Sequence, residues 1–198
     1  MARNVLRGNG ARGSAWRMTC GRAGCGRVAG MTVYETERLI IREWTEDRAD
    51  LDRMTDIYTR PEVTRWLPPF EFDADRAVQG WRALHERDRR YGSWAVQVRE
   101  TGAAAGTVLF RPVPGGDGEV EVGWHLHPDS WGNGYATEAA RGAVERGFAA
   151  GLEEVCALVM PGNEASMAVC RRLGMTPLGR TRRFFDLEAE MFRLRRDG

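Results

Sequence analysis

The chain has 198 residues, of which 42% are hydrophobic and 29% are charged, and its formal net charge is +1 at pH 7. This length suits one domain around one hydrophobic core, and no apolar run approaches the roughly 18 residues of a membrane span. Residues 1–30 hold six arginines and no acidic residue, so the rest of the chain carries a net charge of about −5. A domain of that charge is not expected to bind nucleic acid or an anionic membrane by charge alone.

The first 30 residues are predicted to form a disordered tail rich in arginine and glycine, and residues 31–198 to form one folded domain. The tail contains seven glycines and few large apolar side chains, so it cannot bury enough surface to offset the entropy lost on ordering. No apolar segment follows its arginines, which excludes a secretory signal peptide. Two interpretations stay open: an Arg-rich leader, or sequence that precedes a translation start at Met31.

The cysteines and histidines give neither a disulfide pattern nor a metal site. Cys20 and Cys25 lack the CxxC spacing of a zinc site, and Cys156 and Cys170 lie in apolar stretches typical of packed core thiols. The three histidines are scattered without HExxH spacing. We therefore expect a cytoplasmic protein that holds no metal ion.

The first half of the domain is predicted to contain a strand, two helices and three further strands. The strand spans residues 38–44 and alternates apolar with charged side chains. The first helix begins after it and ends at Pro61, and the second spans about 73–90. Three stretches within residues 93–127 then alternate with period two and are joined by short, Gly-rich turns, which predicts an antiparallel meander.

The second half of the domain is predicted to alternate helices with strands. A helix spans about Tyr135 to Ala150, a continuous apolar strand covers residues 153–161, and a short helix begins after Asn163. A hairpin over residues 176–196 closes the chain. We therefore predict an α+β fold with a mixed, mostly antiparallel central sheet of about six to seven strands, flanked by helices.

Two glycines stand directly before the first of these helices, in the sequence WGNGYATEA. A helix N-terminus presents unsatisfied N–H groups and a partial positive charge. Gly132 and Gly134 lack Cβ atoms and reach positive φ without penalty, which suits a pyrophosphate, although a plain tight turn also accommodates such a pair. The dinucleotide fingerprint and the P-loop do not fit, because a third glycine and a Lys-Ser/Thr pair are missing.

A resemblance to a known family is carried by the segments EVGWHLHPDSWGNGYATEA and VMPGNEASMAVCRRLGM. They resemble the GNAT family of N-acetyltransferases, in particular the branch that acetylates ribosomal-protein N-termini. The opening TERLIIREWTEDRADLD is similar to the first strand and helix of that branch, so the resemblance spans about residues 32–195. It implies the acyl-CoA N-acyltransferase fold, acetyl-CoA as co-substrate and an amine as acceptor.

The resemblance also implies which residues bind acetyl-CoA. The family's pyrophosphate loop is Gln/Arg-x-x-Gly-x-Gly/Ala, and Trp131 here takes the place of its first residue. The N–H groups of the loop are expected to hold the pyrophosphate, and the backbone at the end of the preceding strand to line the pantetheine arm. The expected cofactor-binding residues are Trp124, His125, Leu126, Trp131, Gly132, Asn133, Gly134, Tyr135, Ala136 and Asn163.

Transfer of an acetyl group to an amine requires a neutral amine, and Glu121 is the candidate base. Removing the proton from an α-amine at pH 7 costs only about 1.4 kcal/mol, against about 4.6 kcal/mol for a lysine. Glu121 lies on the strand that leads into the loop and matches the family pattern E-[IV]-G-[YW]. Two alternatives stay open: a solvated strand glutamate, and His125 as the base.

The second catalytic candidate is Ser166, which follows Asn163 by three residues as in the family's N-x-x-S. The resemblance implies that its hydroxyl protonates the departing thiolate; the alternative is a serine that bonds to the backbone of its own turn. Asn163 is expected to cap the helix and also to contact the pantetheine arm. No cysteine has a basic partner in the pattern, so direct transfer is expected rather than an acyl-enzyme.

The acceptor amine is the open question of the sequence. Residues 66–70 are apolar and stand where relatives build one wall of the acceptor site, and Arg180, Arg182 and Arg183 either steer an acidic acceptor or solvate an edge strand. The leading hypothesis is acetylation of a protein N-terminus or a small-molecule amine by a monomer or homodimer. The alternatives are an enzyme for aminoglycoside-like antibiotics and a non-catalytic acyl-CoA-binding module.

Overall fold

The computed structural model describes residues 30–184 and 187–196. The predicted tail therefore lies outside the described residues, apart from Gly30. The strands are β1 (Thr32–Glu35), β2 (Leu39–Arg42), β3 (Gly92–Val98), β4 (Ala104–Pro112), β5 (Val120–Leu126), β6 (Glu154–Val159), β7 (Thr176–Thr181) and β8 (Ala189–Arg195). The helices are α1 (Arg48–Thr59), α2 (Pro61–Thr64), α3 (Ala74–Arg87), α4 (Tyr135–Ala149) and α5 (Glu164–Arg172).

The strands form one sheet in the order β1-β2-β3-β4-β5-β6-β8-β7. Neighbouring strands are antiparallel except β5 and β6, which run parallel. The α+β prediction of a mixed, mostly antiparallel sheet is confirmed, with eight strands instead of six or seven. The additional strand is β1, which is a strand through its pairing with β2 and has no pattern of its own that indicates one.

Helices cover both faces of the sheet and bury two separate apolar clusters. On one face, α4 and α5 cover the larger cluster, which includes Leu39, Trp94, Val108 and Ala140. On the other face, α1 and α3 enclose a smaller cluster around residues such as Met54. Alternation along the strands separates the two clusters. No helix in the described part of the chain is long and apolar enough to cross a membrane.

A buried ion pair fixes α1 against the sheet. The guanidinium of Arg42 on β2 makes two hydrogen bonds, of 2.7 and 2.9 Å, to the carboxylate of Asp50 in the first turn of α1. Burial alone would raise the pKa of Asp50, but the hydrogen bonds from Arg42 and Thr45 outweigh it and lower that pKa. The pair therefore stays charged and holds one end of α1 in a defined place over the sheet.

The parallel pair of strands positions the predicted site. Between β5 and β6 a single register pair is formed, Glu121 with Cys156, although β5 has seven residues. The strands part beyond this point. Because they run parallel, their C-terminal ends lie at the same edge of the sheet, and the loops that lead into α4 and α5 start there.

Candidate active site

The glycine loop before α4 adopts a left-handed backbone at both glycines. Gly132 has φ 78° and Gly134, the N-cap of α4, has φ 77°. A Cβ atom added at Gly132 would meet no atom within 4 Å, so backbone conformation, and not space, favours glycine there. An L residue in this conformation costs roughly 1–2 kcal/mol. The glycines therefore have the positive φ that the sequence indicated.

The loop presents a row of backbone donors. Within the described part of the chain, the six consecutive N–H groups of residues 132–137 donate no hydrogen bond. The next N–H group, that of Glu138, donates to the carbonyl of Gly134 at 3.1 Å. The hydroxyl of Thr137, in the first turn of α4, is buried without a hydrogen-bond partner. Consecutive free N–H groups at a helix N-terminus fit the pyrophosphate of acetyl-CoA.

The end of β5 directs backbone groups into the gap beside β6. His127 N–H donates to the carbonyl of Ala105, next to β4. Since bonding direction alternates along an antiparallel pair, the odd-numbered residues of β5 face β4 and the even-numbered residues face β6. The N–H and C=O groups of Trp124 and Leu126 therefore point into the gap.

The two large side chains predicted here as cofactor residues have different surroundings. Trp131 is 46% exposed, and its indole N–H donates to the Leu126 carbonyl at 2.9 Å. One of the carbonyls that face the gap is thus already bonded to the loop. The side chain of Trp124 is half-buried and packs against the larger core cluster. The side-chain amide of Asn133 donates within the loop, to the carbonyls of Ser130 and Trp131.

Glu121 is a buried carboxyl group with one close cationic neighbour. It is 8% exposed, and its Oε2 atom has no hydrogen-bond partner. Arg111, its cross-strand partner on β4, places its Nε atom 3.7 Å from that oxygen. Burial raises the pKa of Glu121, and Arg111 offsets only part of the rise. A carboxylate with a raised pKa is a better proton acceptor than an exposed glutamate.

His125 lies on the same face of β5 and is engaged by α1. The hydroxyl of Tyr58 is 3.1 Å from its Nδ1 atom. Burial, with a smaller contribution from Arg111, lowers the pKa of His125 to about 4. The imidazole is therefore neutral at neutral pH.

Aromatic rings extend this contact toward the surface. Tyr58 stacks on Phe72 with ring centroids 4.4 Å apart and meets the edge of Phe70 at 6.1 Å. Phe70 is 47% exposed, so the cluster of Tyr58, Phe70 and Phe72 leads from His125 to solvent. Of the predicted wall 66–70, Phe70 joins this cluster. Trp66 instead stacks beneath Arg65 at 4.8 Å.

Asn163 and Ser166 begin α5 at the same edge of the sheet as the glycine loop. The side chain of Asn163 accepts a hydrogen bond from the Ser166 N–H at 3.1 Å, which confirms the predicted N-cap. Ser166 is half-buried. Glu121 lies deeper in the sheet, five residues or about 17 Å along β5 from Leu126. The structure thus groups Asn163 and Ser166 with the loop and leaves Glu121 at the point where β5 and β6 pair.

The remaining candidates of the sequence have structural partners. Cys156 and Cys170 are buried free thiols, and burial raises the pKa of each to about 12, as suits packed core residues. Arg180 pairs with Glu188 and Glu190, Arg182 with Glu188, and Arg183 with Asp117 and Glu119. Arg180 and Arg182 therefore tie the closing hairpin together, and Arg183 ties it to the turn before β5. Within the described residues, no group of His, Cys, Asp or Glu is arranged to hold a metal ion.

Several residues of this region were not singled out from the sequence. They are Arg38, Tyr58, Arg111 and Glu138. Arg111 meets Glu121 through the register of β4 and β5, and Tyr58 reaches His125 through the placement of α1 on the sheet. Neither the register nor the helix placement leaves a local signal in the chain.

Known proteins are similar to this chain in both sequence and fold. Residues 38–176 match the family described as the acetyltransferase (GNAT) domain. The uncharacterized N-acetyltransferase YoaA of Bacillus subtilis is 29% identical over 157 residues, which are 77% of this chain and 87% of YoaA. An acetyltransferase from Agrobacterium tumefaciens superposes with a TM-score of 0.70 at 25% identity and covers 82% of this chain and 94% of its own. The ribosomal-protein-S5-alanine acetyltransferase of Vibrio fischeri gives a TM-score of 0.66 at 19% identity, with 83% and 96% covered.

The family match spans more than half of the chain, and the sheet with its parted parallel strands has the fold of these neighbours. The family uses acetyl-CoA as co-substrate. The chain belongs to the GNAT acetyltransferase family and is an N-acetyltransferase.

Proposed function

We propose that the protein transfers the acetyl group of acetyl-CoA directly to an α-amine, either at a protein N-terminus or on a small molecule. The observation that carries the proposal is Glu121, a buried carboxyl group with a raised pKa and an oxygen that no donor occupies. It lies on the strand that borders the gap between β5 and β6. An α-amine needs only a modest base, since its proton is lost near neutral pH.

The chain's own backbone holds the co-substrate in this proposal. The N–H groups of residues 132–136 bind the pyrophosphate, and the backbone of Trp124 and Leu126 aligns the pantetheine arm along β5. The side chain of Asn163 reaches the arm from the start of α5. Acetyl-CoA itself supplies the acetyl group as a reactive thioester. Alignment of two reactants in this way is worth roughly 7–11 kcal/mol of the barrier.

Glu121 accepts the proton of the attacking amine. His125 is a poorer candidate for two reasons: its pKa is lowered to about 4, and its Nδ1 atom is engaged by the Tyr58 hydroxyl. Arg111 stays close to the Glu121 carboxylate and offsets part of the rise of its pKa.

Ser166 donates a proton to the departing thiolate. Its position in the first turn of α5, at the edge where the gap opens, supports this role, and its backbone N–H is already satisfied by Asn163. The two buried cysteines have strongly raised pKa values, so neither is a thiolate near neutral pH. Direct transfer to the amine is thus favoured over an acyl-cysteine.

The surroundings of Glu121 favour an α-amine over a polycationic antibiotic. An aminoglycoside-like substrate carries several positive charges and calls for an acidic pocket. Glu121 instead has Arg111 beside it, and His125 and the aromatic rings of Tyr58 and Phe70 line the same face. The fold-level likeness to a ribosomal-protein-S5-alanine acetyltransferase adds a protein N-terminus to the candidates.

A thiol-release assay tests the proposal. Purified protein is given acetyl-CoA with a panel of peptides bearing free N-termini, amino acids, polyamines and aminoglycosides. We expect release of CoA with an α-amine acceptor and little release with the polycations. Ser166→Ala is expected to lower kcat about tenfold on the preferred acceptor, as typical for the loss of one general acid. CoA binding without turnover on any amine would instead identify a non-catalytic acyl-CoA-binding module.

A further inference from the structure

The helix that would receive the pyrophosphate carries a carboxylate in its first turn. Glu138 lies in the first turn of α4, four residues after the N-cap Gly134. A free carboxylate there would repel an incoming dianion. The structure shows how this charge is compensated, and the compensating residue lies far away in sequence.

Three hydrogen bonds and one further ion-pair contact hold Glu138, all of them from the connection between β1 and β2. Its Oε1 atom accepts from the Thr36 hydroxyl at 2.6 Å and from the Arg38 N–H at 2.8 Å. Its Oε2 atom accepts from Nε of Arg38 at 2.7 Å and pairs with Nη2 at 2.6 Å. Burial would raise the pKa of Glu138, but these bonds outweigh it and lower that pKa. The carboxylate therefore stays ionised and paired with a guanidinium.

The same guanidinium also holds the loop. Nη1 of Arg38 donates to the carbonyl of Asn133 at 2.9 Å. In a trans peptide the C=O of Asn133 and the N–H of Gly134 point in opposite directions. The bond from Arg38 therefore turns the Gly134 N–H away from the guanidinium, toward the open side of the loop.

The fit around Gly134 is close. A Cβ atom at this position would lie 3.5 Å from Nη2 of Arg38, and the guanidinium also lies over the ring of Tyr135, 5.2 Å from its centroid. Arg38 thus contacts the residues on both sides of the Gly134 peptide and the carboxylate one turn later. One planar group with fixed donor directions makes all of these contacts, which a lysine ammonium cannot reproduce.

We propose that Arg38 is a positioning residue for the cofactor: clamped by Glu138, it fixes the Asn133–Gly134 peptide so that the loop's N–H groups point at the pyrophosphate. The proposal rests on the proposed function, because it assumes that this loop binds acetyl-CoA. It gives a role in cofactor binding to Arg38, the residue directly before β2, which lies outside the glycine motif. It also explains why a helix that binds a dianion tolerates an acidic first turn.

The test compares two acetyl donors and one binding measurement. Acetyl-pantetheine lacks the pyrophosphate. A defect confined to the loop therefore leaves the reaction with acetyl-pantetheine unchanged, whereas a general loss of stability or catalysis slows the reaction with both donors. For Arg38→Gln we expect the Kd of CoA, measured by calorimetry, to rise about 10- to 30-fold, as for the loss of a charge-assisted hydrogen bond. The kcat/KM for acetyl-CoA falls in proportion, and that for acetyl-pantetheine stays unchanged.

Two further variants separate geometry from charge. Arg195→Gln is the matched control, because Arg195 is an exposed arginine paired with Glu154 on the neighbouring strand β6; it should bind CoA like the wild type. Arg38→Lys keeps the positive charge but loses the planar guanidinium and its fixed donor directions. We therefore expect this variant to bind CoA as weakly as Arg38→Gln does. Full recovery with lysine, unchanged CoA binding in Arg38→Gln, or equal losses with both donors would each overturn the proposal.

Failure of the positioning role and failure of the proposed function have different signatures. If the wild-type protein does not bind CoA, the proposed function fails. If the wild type binds CoA and Arg38→Gln binds it equally well, only the role of Arg38 fails. Should Arg38→Gln not fold, Glu138→Gln decides, since it releases the clamp without removing the arginine and is expected to raise the Kd of CoA about 3- to 10-fold.

Discussion

The glycine loop and the surroundings of Glu121 are two parts of the proposed site, and they are built in opposite ways. The loop is exposed, its working groups are consecutive backbone N–H groups, and its conformation depends on two glycines at positive φ. Glu121 is buried beside Arg111 of β4, and on the same face of β5 His125 contacts Tyr58 of α1. An exposed cradle of neutral dipoles binds a charged group with little desolvation, whereas a buried carboxylate gains basicity because it is poorly solvated. Binding and chemistry should therefore respond to different substitutions.

The largest expected effect is that of Glu121→Gln. Loss of a general base lowers kcat by about 10²- to 10⁴-fold, and the Kd of CoA should stay unchanged because the loop is untouched. Steady-state kinetics and calorimetry measure the two quantities. Glu119→Gln is the matched control, as it lies two residues earlier on the same side of the chain and pairs with Arg183. A Glu121→Gln variant that keeps its turnover would remove Glu121 from the mechanism.

The same substitution should act on stability in the opposite sense. The folded state raises the pKa of Glu121, so its ionised form is less favourable in the folded than in the unfolded chain. The resulting cost is present at pH values above the folded pKa and disappears as the pH falls below the unfolded value. We therefore expect Glu121→Gln to unfold at a higher denaturant concentration than wild type at pH 7, with the two curves approaching each other in acid. A less stable variant at pH 7 would contradict the raised pKa.

A smaller effect, confined to binding, is expected for Gly134→Ala. The residue has φ 77°, and an alanine there costs roughly 1–2 kcal/mol or moves the peptide out of place. The Kd of CoA should rise about 5- to 30-fold, and kcat at saturating acetyl-CoA should not change. Gly115→Ala provides the control, since Gly115 has φ 74° in a distant turn with no atom within 4 Å of an added Cβ. Equal effects of both variants on CoA binding would indicate a loss of stability and not of the cradle.

The contrast between the two parts also explains what the sequence could predict. The conformation of the loop was predictable because its signals lie in adjacent residues: two glycines and a helix start, like the Asn163 cap of α5, each leave a local signal. Glu121 could be placed on its strand, but neither its burial nor Arg111 beside it could be deduced, since both depend on which strand pairs with which and in what register. The four-residue β1 was missed for the related reason that its pairing with β2, and not its own pattern, makes it a strand.

The smallest effect we predict concerns only the binding of the acceptor amine. Burial raises the pKa of Tyr58, so its hydroxyl remains protonated and can donate to Nδ1 of His125 at 3.1 Å. Tyr58→Phe keeps the ring contacts and removes this one hydrogen bond, whose net value is about 0.5–1.5 kcal/mol. If the Tyr58 cluster borders the amine, the KM of the acceptor should rise about 2- to 10-fold, with the Kd of CoA unchanged.

Tyr91→Phe is the control for this prediction, because Tyr91 is a half-buried tyrosine that packs against Phe110 in the larger core cluster. It should leave both acceptor KM and CoA affinity as they are. A rise in the Kd of CoA for Tyr58→Phe would mean that α1 also supports the loop, and the division between a backbone-built binding region and a side-chain-built reaction region would then be incomplete. An unchanged acceptor KM in Tyr58→Phe would mean that the acceptor amine binds away from the Tyr58 cluster.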